Sequence, residues 1–129
     1  MTMDREKLLT LIQESFYEGG LLLENGAVRA AANRFYTAAM YGVMLFLSSS
    51  VQADETIWRL GSRYLRKNSK MYKTSLEIRK LRGNIEFTLD HEPSLSDVKK
   101  LSKLCHVLTT WCIEQTKEPL WNEKSYYME

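Results

Sequence analysis

The stretch from Ala27 to Leu47, AVRAAANRFYTAAMYGVMLFL, constrains the fold more than any other part of the chain. Wound as an α-helix it is apolar on most of its circumference. Ala30, Ala31, Ala32, Ala38, Ala39 and Gly42 are interleaved with Phe35, Tyr36, Tyr41, Val43, Leu45 and Phe46. A helix that is hydrophobic nearly all round must be enclosed by other elements. It is not a membrane span, because its longest nearly apolar run, Ala38 to Leu47, is half the length a bilayer needs. The expectation is therefore a central helix packed on several sides by amphipathic ones.

The flanking sequence supplies them. Leu8, Leu11, Ile12, Ser15, Phe16, Gly19 and Leu22 or Leu23 recur at three-and-four spacing, which predicts a first helix from about Asp4, its N-cap, to Glu24. Asn25-Gly26 ends it by tolerating the left-handed conformation, so the first two helices form an antiparallel hairpin. Gly19-Gly20 stands at a depth where it is expected to face the small residues of the second helix, close approach offsetting the cost of glycine. After a loop at Ser48–Ala53, a third helix runs from Asp54 to about Lys67 with Ile57, Leu60, Gly61, Tyr64 and Leu65 inward. A fourth, from about Met71 to Leu89, turns Leu76, Ile78, Leu81, Ile85 and Leu89 inward and stops before Pro93.

Ser94 and Asp97, in an S-x-x-D capping box, open a fifth helix to about Lys117, with Val98, Leu101, Leu104, Cys105, Leu108 and Cys112 as its buried stripe. No segment alternates apolar and polar residues as a strand would, and no repeat of solenoid period is present. The fold class expected is all-α, an up-and-down bundle of four to five helices. With 129 residues there is room for one domain, taken as 1–118, followed by a tail, 119–129, that carries Trp121, Tyr126 and Tyr127. A chain of this length can bury a core without metals or disulfides. Cys105 and Cys112, about 10 Å apart along one helix face, cannot bond to each other and read as reduced core thiols. With a start, MTMDREKLL, unlike a secretory leader, they place the protein in the cytoplasm as an expectation.

The net charge of +2 conceals an asymmetry. Between Arg59 and Arg82 lie nine basic residues and one acid, Glu77, a local charge of +8, and the rest of the chain carries −6. Such a field suits a polyanion; equally, it describes a solvated helix pair facing an acidic helix. The candidate phosphate- or nucleic-acid-binding residues are Arg34, Arg79 and Arg82, with Arg63, Arg66, Lys70 and Lys73 from the basic segment and Tyr36 and Tyr41 as aromatic support. Arginine holds phosphate bidentately while a ring stacks on a base. The same groups have structural uses: Arg82 pairs with Glu86 one turn on, and Tyr36 buries its ring in the core.

Signatures of catalysis are missing. There is no Gly-rich phosphate loop, H-E-x-x-H, G-x-S-x-G or C-x-x-C. Cys105 and His106 are adjacent and so point about 100° apart on a helix, a poor start for a metal site. His91, near Asp90 and Glu92, reads as a helix C-cap or a general acid. No cofactor is expected.

The second helix, AAANRFYTAAMYGVMLFL, resembles the A-x-x-R-x-Y-Y-A-x-x-x-A-x-x-A-L-L helix of small stand-alone HEPN-domain proteins, through Arg34, Phe35, Tyr36 and Ala38. LRGNIEF, Leu81 to Phe87, is similar to their L-R-x-x-A-D-Y segment, with Arg82 on the arginine, Glu86 on the acid and Phe87 on the tyrosine. The resemblance implies a bundle that commonly forms a homodimer. It also implies either a metal-independent ribonuclease or a non-catalytic module that binds nucleotide, RNA or a minimal nucleotidyltransferase partner, often in toxin-antitoxin or defence systems. The ribonuclease branch places histidine four to six residues after its arginine. Here the fifth residue after Arg82 is Phe87, which cannot transfer a proton, and His91 is nine residues on. The expected function is therefore a non-catalytic phosphate- or partner-binding module. The alternatives are a divergent ribonuclease using Arg82 and His91, and a protein-interaction subunit.

Overall fold

The computed structural model describes residues 4–47, 54–87 and 93–116, with the backbone alone for 54–56. Five α-helices account for nearly all of them: α1 (Arg5–Glu24), α2 (Val28–Leu47), α3 (Asp54–Leu65), α4 (Ser69–Glu86) and α5 (Leu95–Gln115). No strand occurs among the described residues, and the arrangement is an all-α up-and-down bundle. No helix there is long and apolar enough to cross a membrane. His91, Leu89 and the aromatic tail lie outside the described residues, as does the loop after α2.

Capping chemistry sets the boundaries. The side chains of Asp4 and Ser94 accept from the amides of Lys7 and Asp97 at 3.2 and 3.0 Å, which satisfies donors the first helical turn leaves open. Asn68 does the same for Met71 at 3.1 Å. As a result α4 begins at Ser69, two residues before the Met71 expected to open it. At the end of α1 the Gly26 amide donates to Leu23 and the Ala27 amide to Leu22, a Schellman arrangement. It requires the positive φ of 80° that glycine adopts without strain. This turn sends the chain straight back as α2.

α2 touches all four other helices, as its sequence demanded. Ala31, Ala38, Ala39 and Val43 are wholly buried, and Gly42 lets α5 approach so closely that an added Cβ would stand 3.3 Å from the Thr109 Cα. Gly42 of α2 therefore serves α5. Gly19 was expected to meet the small residues of α2, but it receives the Phe35 ring, whose Cε1 would lie 2.5 Å from its Cβ. Gly20 faces open space. Phe35 fills its hollow because an aromatic ring buries more apolar surface than two abutting backbones would.

The inward faces of α3 and α4 also differ in detail from the expected ones. Ile57, Gly61, Leu65, Ile78 and Ile85 are buried and Leu81 half-buried, but Tyr64 and Leu76 are exposed, and Trp58 is buried instead. The buried arc of α3 centres between Ile57 and Trp58, which leaves Tyr64 beyond its edge. On α5 the expected stripe is buried apart from the partly covered Leu104. Burial away from polar groups pushes both thiols up, that of Cys112 to about 12, so neither is a thiolate at neutral pH.

Candidate phosphate-binding cleft

The basic segment folds as α3, a tight turn and α4, and its arginines sort by helical register. Arg59, Ser62 and Arg63 follow i, i+3, i+4 and so form one stripe along α3, and Arg66 continues it at the start of the turn. On α4 the facing stripe is Tyr72, Leu76 and Arg79. The two stripes line a cleft of about 420 Å³, within the range of small-ligand sites. Four arginines line it, and among the described residues no acidic one does. Arg66 lies over the Tyr72 ring, 5.8 Å from its centroid, a cation–π contact at the turn end. The Ser62 Oγ is shielded from solvent and has no hydrogen-bond partner.

Glu77, the one acid of the segment, does not neutralise this charge. It stands about 140° round α4 from Tyr72, where its carboxylate pairs with Lys100 of α5 at 3.2 Å. None of the ion pairs among the described residues engages Arg59, Arg63, Arg66 or Arg79.

Of the residues singled out in the sequence, Arg63, Arg66 and Arg79 are brought together here. Lys73 is exposed on the flank of α4. Lys70, about 160° from the Tyr72 stripe, stands on the side of Glu77. Arg34, Tyr36, Arg79 and Arg82 do not share a site. Residues two apart on a helix point about 200° apart, so Arg34 turns to α1, where it bonds the Ser15 Oγ at 3.1 Å and pairs with Glu18 at 3.1 Å. Tyr41 is on the Arg34 side and half-buried. Tyr36 turns the other way, buried and stacked on Trp58 with centroids 5.4 Å apart. Arg82 lies 4.3 Å over the Tyr36 ring, with its Nε 3.7 Å from Glu86. Both have the structural uses the sequence allowed them. Phe87 is exposed at the C-cap of α4.

Arg59, Ser62 and Tyr72 were not singled out, although the i, i+4, i+7 spacing on both helices carried the signal. His106 stacks on Phe16 at 3.7 Å, and its Nδ1 is 2.9 Å from the Ser102 carbonyl, whereas Cys105 points into the core; the pair shares no site. Comparison of the chain with protein-family models, with curated proteins and with solved structures returns no match.

Proposed function

We propose that this protein is a non-catalytic helical module that binds phosphate groups of RNA or of nucleotides in the cleft between α3 and α4. The observation that carries the reading is that Arg59, Arg63, Arg66 and Arg79 line one concave surface with no acidic residue beside them among the described residues. Like charges lining one cleft repel, and an anion bound there relieves that repulsion while accepting bidentate bonds from the guanidinium forks. Tyr72 and Leu76 add an apolar wall on which a sugar or base can rest.

The non-catalytic part rests on residue chemistry. No side chain lining the cleft transfers protons near neutral pH, and Phe87 occupies the position where the ribonuclease spacing asks for histidine. The likeness of α2 and α4 to HEPN proteins adds the expectation of a homodimer acting with a nucleotidyltransferase-type partner.

The test is a gel in which end-labelled single-stranded RNA is scored for shift and for cleavage at low and physiological salt, with Arg63→Ala/Arg79→Ala alongside. The expected result is a shift without cleavage, weakened by salt and by the double variant. Cleavage that His91→Ala abolishes would instead establish the ribonuclease alternative.

A further inference from the structure

We infer that the α3–α4 cleft is shaped for a terminal polyphosphate chain, as a nucleoside triphosphate or a triphosphorylated RNA end carries, in preference to the internal phosphodiesters of a strand. The inference rests on the phosphate-binding reading above and adds which kind of phosphate the site takes.

The argument is one of charge and donor count. The lining presents four guanidiniums, each able to place a fork of two parallel N–H groups on an anion. A phosphodiester bears a single charge and two unesterified oxygens, and the sugar holds it apart from the next one. A strand threading the cleft would leave most of those forks unmatched. A triphosphate places three to four charges and a dense set of unesterified oxygens in one short chain, which matches four arginines within one concavity. On α3 Arg59 and Arg63 stand one turn apart, about 6 Å by helical rise, and Arg66 follows at the turn into α4, so the arginines line one short stretch of the cleft.

One further feature fits. Leu76, 42% exposed, adds with Tyr72 apolar surface to the cleft and suits the nucleoside at the end of the chain. Nothing comparable surrounds Arg34 or Arg82, each already paired with a glutamate.

The experiment measures binding of five probes to the full chain in EDTA at about 50 and 200 mM salt, the interval over which phosphate contacts are most salt-sensitive. The probes are inorganic tripolyphosphate, ATP, AMP, and one short RNA prepared with a triphosphate or with a hydroxyl at its leading end. Tripolyphosphate, ATP and the triphosphorylated RNA are expected to bind at least about tenfold more tightly than AMP or the hydroxyl-ended RNA. Arg66→Lys, which keeps the charge and removes the fork, is expected to erase most of that preference in a protein whose circular dichroism is unchanged. ATP binding more tightly than the triphosphorylated RNA identifies a free nucleotide as the source of the polyphosphate, and the reverse order identifies an RNA end. Equal affinity for the two RNAs, together with ATP and tripolyphosphate binding no more tightly than AMP, overturns this inference and leaves the phosphate-binding reading standing; no binding of any probe overturns both.

Discussion

Arg82 separates the structural account from a plain reading of charge. Its sequence neighbourhood marks it as a phosphate ligand, whereas its contacts make it a strut between α4 and α2. The guanidinium 4.3 Å over the Tyr36 ring, on a side chain 29% exposed, is worth about 1 kcal/mol, midway between exposed and desolvated cation–π pairs. The pair with Glu86, at 3.7 Å and i, i+4, adds about 0.3–0.5 kcal/mol after solvent screening. Arg82→Ala is thus expected to destabilise the protein by about 1–1.5 kcal/mol, a fall of roughly 4–7 °C in Tm for a domain of this size. The assay is urea and thermal unfolding followed by circular dichroism, with Tyr36→Leu and the double variant completing a cycle. Coupling between the two sites of about 1 kcal/mol is expected. RNA affinity measured on the folded variant should keep its salt slope, whereas Arg79→Ala should lower the slope by about 0.7 and leave stability within about 0.5 kcal/mol. An Arg82→Ala protein of undiminished stability and reduced salt slope would refute this reasoning.

Neighbouring glycines are expected to respond with opposite sign. Gly19→Ala drives a methyl group into the buried Phe35 ring and should cost about 1–3 kcal/mol, whereas Gly20→Ala meets nothing and should stabilise by about 0.5–1 kcal/mol, both read from urea midpoints. The thiols bring an alkaline limit. Their folded pKa values are raised, so their contribution is complete below the ordinary thiol value of 9.0 and is lost as pH rises towards about 12, where Cys112 ionises in the folded protein. Unfolding free energy should fall as pH rises through that interval. Cys105→Val/Cys112→Val should flatten the decline; an unchanged pH dependence would contradict it.

Much of the fold was legible because it follows from local chemistry. Asp4, Gly26 and Ser94 mark helix ends through hydrogen bonds to residues at most four away, and the apolar circumference of α2 required neighbours on every side. The errors arose where tertiary packing chose between locally equivalent options. Stepping by three and four from Ile57 reaches Tyr64 and skips Trp58; rotating the buried arc of α3 by a fraction of a turn exchanges them, and tertiary contacts such as Gly61 against Val43 and Trp58 against Tyr36 accompany the rotation observed. The candidate site shows the same division. That Arg34 and Tyr36 point apart was readable from helical period alone. That Glu18 would take Arg34, and that Lys100 would take Glu77 and leave Arg79 outside the ion pairs of the described residues, depended on which helices became neighbours.

The central claim concerns where phosphate binds, and amide chemical-shift mapping of the isotope-labelled full chain, titrated with single-stranded RNA at low salt, tests it most directly. The account predicts shifts concentrated on α3 and α4 around Arg59, Ser62, Arg63, Arg66, Tyr72 and Arg79, with the Arg34–Tyr41 face of α2 undisturbed. Shifts gathered around Arg34 and Glu18, or on α5, with the α3–α4 cleft silent, would contradict it.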